Sequence, residues 1–544
     1  MFRKALAVLV LVLFACSDDA GSSSASPRAP LPTRASAEQE AAAERLLTGP
    51  DWYRHAVFYE INVRSFMDSN GDGIGDLDVV TSKLDYLKGL GVDALWLMPI
   101  HPTGFKDSGY DIADYRAINP DYGDMAAFDR LLAGAHARKM RVFTDLVLNH
   151  TSNLHAWFQE SRSSRTNPKS DWYVWSDAPG RADLGTCGAD KPMFGDGWTL
   201  DPLRNQYYFH RFYAEQPDLN YRNPDVVKET LDVLRFWLEK GVDGFRCDVI
   251  GTLYESPDGC FMLPENVAYI QEMRKVLDAA STTAPRAMVA EPSQLTDATK
   301  YFGSGSDMFH MAFDFGYGYF WGLAFAQRDR RIVEEAIGRL ATYPTGGQPA
   351  QVIGSHDVVR AWSVGGGEMW TSQTAALLAM TLKGTPFVYY GEELALRQGT
   401  QVIVDDRDRA RTPMPWTRDP NGHGFTTGRP WIAFGEAAAE TSVEAEDGDP
   451  ASMLTFYRQL LALRRGHAVW GTGDVRHVPL DVRQLLAFVR EDASEAYLVV
   501  VNMTDEEQTG AGELPGGTLV FGDAELGAGT VTVPASGRAI FKVR

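Results

Sequence analysis

At 544 residues the chain exceeds one ordinary domain, and 44% hydrophobic with 23% charged residues is the balance of a folded globular protein. A net charge of −20 excludes readers of nucleic acid and of anionic membrane surfaces, both of which need basic patches. It fits a neutral substrate.

Arg3 and Lys4 precede an apolar run from Ala5 to Ala15, too short to span a bilayer and in the form of an export signal. Leu13-Phe14-Ala15-Cys16 is similar to a bacterial lipobox, with a plain cleaved leader as the alternative. A lipoprotein leader over 1–16 would place the protein in the cell envelope, with membrane contact only through that anchor. Residues 17–44, rich in Ser and Ala, read as a flexible tether. Strand-like and helix-like runs then alternate. Strands are predicted at 57–63, 94–98, 141–147, 244–249, 287–290, 308–313, 351–353 and 386–390. Helices are predicted between them, at 79–90, 125–138, 225–240 and 331–341 among others. Eight such units make an α/β fold, a (β/α)8 TIM barrel spanning 45–150 and 219–435.

The third repeat breaks the rhythm. Residues 151–218 are too long for a bare loop and carry Trp157, Trp172, Trp175, Trp198, Tyr207 and Tyr208, so a small inserted domain is expected on the rim. Most of these aromatics read as its core. Residues 436–544 begin with an acidic linker and a helix at 452–465. Short runs at 485–489, 496–501, 518–521, 530–533 and 539–543 read as a C-terminal antiparallel β-sandwich.

Chemistry-bearing residues fall at the ends of the barrel runs, in DLVLNH (145–150), GFRCDV (244–249), AEPS (290–293) and SHD (355–357), with QPDLN (216–220) beside them. In a strand, residues two apart share a face, so Arg246 and Asp248 point into the barrel and Cys247 away from it. A guanidinium beside Asp248 holds it ionised, as a nucleophile needs. Glu291 ends the next strand as an acid/base, and a neighbouring anion raises its pKa. Asp357, preceded by His356, would grip the hydroxyls next to the reacting carbon, and His150 a primary hydroxyl. Three carboxylates around one pocket suit cleavage of a glycosidic bond.

A separate signal is DSNGDGIGD, 68–76. Asp68, Asn70, Asp72 and Asp76 occupy positions 1, 3, 5 and 9 of an EF-hand-like loop, and Ile74 offers its carbonyl, so a structural Ca2+ is expected there. Position 12 is Val79, so the usual bidentate Glu is missing. Cys187 and Cys260 are candidates for a disulfide in an oxidising compartment, and Cys247 reads as an inert core residue.

AVFYEINVRSFMDSNGDGIGDL, GVDALWLMP, GYDIADY, DLVLNHTS, QPDLNYRNP, GTPFVYYGEE and RTPMPW together resemble glycoside hydrolase family 13, the α-amylase family, from about Trp52 to the C-terminus. QPDLN and the acidic loop are similar to its oligo-1,6-glucosidase and α-glucosidase branch, with trehalose synthase a near relative. The resemblance implies Asp248 as nucleophile, Glu291 as acid/base and Asp357 as transition-state stabiliser. It implies that Arg246, His150, His356 and Tyr110 bind the nonreducing glucose, and that Asp111 and Arg411 close the pocket on it. Val249, after the nucleophile, is the residue type this branch associates with α-1,6 bonds. Ser355 and Pro415 depart from the family's usual Asn and Gln.

The reading that follows is a retaining hydrolase of α-glucans or of malto- and isomalto-oligosaccharides. Its alternatives are a trehalose synthase-like isomerase or transglucosylase, an endo-acting α-amylase, and a non-catalytic sugar-binding relative. No protein partner is indicated.

Overall fold

The computed structural model describes residues 31–544 apart from 181–191, 194, 258, 283, 293–297 and 319–320. The leader at 1–16 and Cys187 therefore lie outside the described residues. Among those described, no helix is long and apolar enough to cross a membrane.

Eight parallel strands close into a barrel, as the alternating pattern predicts: β1 (Phe58–Ile61), β2 (Ala94–Leu97), β3 (Arg141–Val147), β7 (Gly244–Asp248), β8 (Ala287–Ala290), β9 (Met311–Phe313), β10 (Gln348–Gln351) and β11 (Thr385–Tyr389). Strands covered on both faces lose the in–out alternation and become largely apolar, which is why a run such as ALWL (94–97) fills such a position. Large rings fill the interior. Phe58 stacks on Phe387 at 4.3 Å and meets Phe143 edge-on at 5.0 Å, while Trp52 packs against Phe58 at 5.8 Å. The outer helices follow their caps. In Pro224–Lys240, Asn223 accepts from the Asp225 amide, Pro224 supplies a preset φ, and Gly241 ends the helix in the left-handed region at φ 103°. Its buried stripe includes Val226, Val233, Leu234 and Trp237.

Three expectations need correction. Residues 37–44 are not part of a tether: Ala37–Thr48 is a helix, started by a reciprocal Ser36–Gln39 capping box. Gln39 donates to the Ala462 carbonyl at 3.0 Å and Glu40 pairs with Arg465 at 3.1 Å, so tertiary contacts hold an Ala/Glu run that composition alone reads as loose. The single helix at 79–90 is two, Leu77–Ser82 and Leu84–Leu90, broken at Lys83. The Thr81 and Ser82 hydroxyls bond back to Leu77 and Val79 carbonyls at 2.9 and 2.7 Å, a local alternative to the helix ladder. The seventh strand lies at 348–351 rather than 351–353. Its two glutamines are buried by side-chain bonds, Gln348 to the Gly471 carbonyl and Gln351 to that of Lys383, and a search for apolar runs passes over them.

Between β3 and β7 sit β4 (Trp175–Ser176), β5 (Trp198–Asp201) and β6 (Gln206–Phe209), an antiparallel sheet in the order β4–β6–β5. A helix, Ala156–Ser163, accompanies it where no helical pattern was read. Val174, Trp198, Phe209 and Cys260 form its core. Cys260 is disulfide-bonded, and Cys247 is a buried free thiol. After the helix Met453–Arg464 come two antiparallel sheets. One runs β12 (Asp474–His477), β13 (Leu485–Glu491), β14 (Ala496–Asn502), β19 (Arg538–Lys542), β16 (Thr518–Gly522); the other runs β15 (Gln508–Ala511), β18 (Thr530–Val533), β17 (Glu525–Leu526). They share one core through Leu485, Val500, Val531 and Phe541. The short strands β12, β15 and β17 carry too few apolar residues to register in sequence.

Candidate active site

Parallel register builds the centre. Pairing of β3 with β7 sets Asp145 beside Arg246 and Val147 beside Asp248. Arg246 Nη1 donates to Asp145 at 2.9 Å and to Asp248 at 2.7 Å, while Nη2 pairs with Glu291 at 2.9 Å. Tyr110 adds a hydrogen bond to Asp145 at 2.8 Å, and Trp96 one at 3.2 Å. One buried guanidinium thus ties three carboxylates together. Asp145 stands in the quoted DLVLNH, and its place in mid-strand among apolar neighbours is the signal that sequence reading passed over.

Burial, not Arg246, dominates the two carboxyls nearest the strand ends. It lifts Asp248 to about 6 against the pull of Arg246, with Asp145 and Asp357 adding to the rise. Arg246 favours the ionised form as the sequence suggests, but burial outweighs it in setting the value. Burial also lifts Glu291, again against Arg246 and helped by Asp248 and Asp357, to about 7. The Glu291 carboxyl accepts from the Val249 amide at 2.9 Å. Val249 points that amide by adopting φ 34° and ψ 35°, a left-handed conformation that a β-branched residue rarely takes.

Asp357 lies six residues beyond the end of β10 rather than at it, carried out over the rim. Its side chain is 28% exposed, against 10% for Asp248 and 13% for Glu291, so it is the most open of the three. Burial would raise its pKa, but His356, Arg407 and Arg411 hold it well below the usual carboxylate range. His356 bonds Asp357 at 3.2 Å and Glu60 of β1 at 2.5 Å. Burial opposes its charge, yet those two anions lift it to about 10. The ring stacks on Tyr110 at 5.2 Å.

His150 sits between the Tyr110 carbonyl at 3.1 Å and the Gln216 amide at 3.2 Å, and burial lowers its pKa. Gln216, the first residue of QPDLN, also reaches Asp107 at 3.4 Å. Arg411 is fully buried and lies 3.5 Å from Asp357. Asp111 is elsewhere. Its oxygens accept from Thr103, Gly104, Lys106 and Ser152, which closes the loop at 103–106 and leaves no acceptor site for a sugar. The charge pair across the mouth is Asp107 with Arg407, 300 residues apart, and Arg407 also bonds Asp357 at 2.9 Å and Asp405 at 2.6 Å. Tyr213 of the inserted domain donates to Asp405 at 2.7 Å and latches the same corner. Neither Asp107 nor Arg407 stood out in sequence, because each reads as one more charge in a polar loop.

The 68–76 loop lies apart from this centre. Asp68 accepts from the amides of Asn70, Gly71 and Gly73 and from the Thr426 hydroxyl, which fills its four acceptor sites. Asp72 receives the Asn70 side chain at 2.9 Å, and Asp76 caps the following helix. The Ile74 amide donates to Asp72 at 2.8 Å. Among the described residues, no group of three or more His, Cys, Asp or Glu converges as a metal cage.

The alpha-amylase catalytic-domain family matches residues 60–473. The chain belongs to the α-amylase family. It is similar to a trehalose synthase/amylase of Mycolicibacterium smegmatis, 38% identical over 499 residues that cover 84% of this chain and 83% of that protein. A probable alpha-glucosidase of Rhizobium meliloti is 36% identical, covering 84% and 90%. Among solved structures, the alpha-glucosyl transfer enzyme XgtA is similar at 33% identity and TM-score 0.79, covering 91% of this chain and 99% of that one. The trehalulose synthase MutB of Pseudomonas mesoacidophila MX-45 is similar at 31% identity and TM-score 0.80, covering 91% and 99%. As a member of the α-amylase family with α-glucosidase relatives, the protein is a glycosidase.

Arg407→Ala removes the one group that joins Asp107, Asp357 and Asp405. In this α-amylase-family site the expected result is a fall of about 10²-fold or more in kcat/KM on disaccharides, since the change strips Asp107 and Asp405 of their guanidinium and leaves Asp357 only His356 and Arg411. Steady-state kinetics on maltose and isomaltose check it.

Proposed function

We propose that this glycosidase is a retaining, α-glucosidase-type hydrolase of short α-glucans, with Asp248 as nucleophile, Glu291 as acid/base and Asp357 as transition-state stabiliser. The observation that carries the reading is the ordering of the three carboxyls: Asp357 well below the usual range, Asp248 about 6 and Glu291 about 7. Near neutrality the first two are ionised while Glu291 retains a share of its protons, the division of labour that glycosidic cleavage demands. Asp248 and Glu291 are both bonded by one guanidinium, which supports a close pair of carboxyls of the kind a retaining enzyme uses. Asp248 attacks the anomeric carbon as Glu291 protonates the leaving oxygen. Glu291, now ionised, then takes a proton from the water that hydrolyses the glycosyl-enzyme.

The pH dependence follows. Activity falls below about 6 as Asp248 gains a proton, and falls above about 7 as Glu291 loses one. The two titrate as a coupled pair, so kcat/KM is expected to trace a narrow bell centred between these values. A profile flat from pH 5 to 9 would sink the assignment.

A second reading, a trehalose synthase-like isomerase, is supported by the 38% identity to the mycobacterial enzyme and by the Arg407–Asp405–Tyr213 latch, which favours a closed pocket. A product time course from maltose separates the two: glucose alone supports the hydrolase, and trehalose the isomerase. Isomaltose and starch offered alongside test the Val249 argument and exo-action.

Calcium at the 68–76 loop is a proposal of the same kind. The oxygen-bearing side chains at positions 68, 70, 72 and 76 support it, and the four bonds already filling Asp68 oppose it. After dialysis against EDTA, a thermal midpoint that rises by several degrees on adding calcium back would sustain the site. An unchanged midpoint would remove it.

A further inference from the structure

Each nitrogen of the His356 ring faces a carboxylate. Nδ1 lies 2.5 Å from Glu60 Oε1 and Nε2 lies 3.2 Å from Asp357 Oδ2. The faces and edge of the ring are fixed as well. Tyr110 stacks on it at 5.2 Å, Trp96 meets it at 5.9 Å, and Arg411 Nε donates to the His356 carbonyl at 3.0 Å.

Strand alternation explains how Glu60 comes to be there. Residues two apart on β1 share a face, and Phe58 stacks on Phe387 inside the barrel, so Glu60 also points inward, one layer nearer the rim. A carboxyl in the apolar run FYEI, 1% exposed, is costly to bury unless it is paired. Its partner is the His356 ring, brought in from 296 residues away.

Donor accounting then sets the state of the ring. An ionised carboxylate only accepts, whereas a neutral imidazole has one N–H and one lone pair. A neutral ring would turn that lone pair towards one of the two carboxylates. A doubly protonated ring donates to both. The charged groups around it are Glu60 of β1, Asp145 of β3, Arg246 of β7, and Asp357, Arg407 and Arg411 at the mouth. Glu60 and Asp357 are the two in contact with its nitrogens, and both favour the charged ring.

We propose that Glu60 is a positioning residue of the reaction: it keeps the proton on Nδ1, fixes His356 as an imidazolium, and so aims a charged N–H at Asp357. The consequence for turnover rests on the role proposed for Asp357, while the charge on the ring does not. A charge-assisted bond to Asp357 is stronger than a neutral one, by about tenfold in an equilibrium.

The test uses the full chain labelled with 15N in its histidines, whose ring nitrogens report imidazolium and neutral forms separately. At a pH of about 8.5, two units above the ordinary histidine value, wild type is expected to show an imidazolium that disappears in His356→Asn. Glu60→Gln keeps the shape and removes the charge. There the His356 ring should read as neutral and kcat/KM near pH 7 should fall about tenfold. The alkaline limb of the pH profile should also steepen from one proton towards two, because His356 now titrates beside Glu291 and only its protonated form is fully active. A neutral His356 ring in wild type would overturn the proposal, and so would an imidazolium that persists in Glu60→Gln. Loss of the imidazolium with rate and limb slope unchanged would end the positioning role. Should Glu60→Gln fail to fold, the wild-type spectrum decides alone. Trehalose as the product from maltose would end the hydrolase reading without altering that spectrum.

Discussion

Glu291→Gln is expected to lower kcat on unactivated disaccharides by about 10²- to 10⁴-fold while leaving the fold intact. The amide is nearly isosteric and keeps an oxygen for the Val249 amide and the Arg246 guanidinium, which the carboxylate holds at 2.9 Å each. What it lacks is the proton. An aryl or fluoride leaving group needs little protonation, so glycosylation of Asp248 should proceed on such substrates and the glycosyl-enzyme should accumulate. Intact-protein mass spectrometry reads that adduct as one hexose on the variant. Asp248→Asn should show no adduct with any leaving group. An adduct that survives in Asp248→Asn would move the nucleophile to another residue, and Glu291→Gln at full activity would end the acid/base assignment.

Arg246→Met should have the largest effect on stability of any single change in the centre. The side chain is 2% exposed and joins Asp145, Asp248 and Glu291. Methionine keeps the apolar stem and deletes the charge, leaving three buried carboxyls with no cation among them. Breaking one buried ion pair costs about 3–5 kcal/mol, and here three carboxyls share the loss. Part of it is recovered by protonation, since burial already places Asp248 and Glu291 at about 6 and 7. The variant should therefore be least impaired near pH 5 and increasingly unstable toward pH 8, the direction in which raised carboxyls ionise against burial. Thermal unfolding of both proteins across that range is the measurement. A difference that did not grow with pH would mean that Arg246 contributes by packing alone.

Local periodicity made part of this architecture legible. Alternating apolar runs and amphipathic stretches record burial, which is encoded residue by residue, and they sufficed for the closed barrel and the C-terminal sheets. The two-residue spacing of Arg246 and Asp248 placed them on one face, and they lie 2.7 Å apart. Where burial rests on hydrogen bonds instead of apolar surface, the pattern is silent. Gln348 and Gln351 show this in β10, and Ser36 with Gln39 shows it at the first helix.

What the sequence by itself determined was the barrel, the presence of an insertion after its third strand, the C-terminal sheets, the family, and a set of carboxylates near strand ends. Tertiary structure alone decided how those charges pair. Asp145 meets Arg246 through strand register, Glu60 meets His356 across 296 residues, and Asp107 meets Arg407 across 300. It also set the burial that lifts Asp248 against the pull of its guanidinium, and placed Asp111 among the donors of a loop closure. The reason is physical. Alternation and capping act within a few residues, whereas a charge's partners and its desolvation exist only once the barrel has closed.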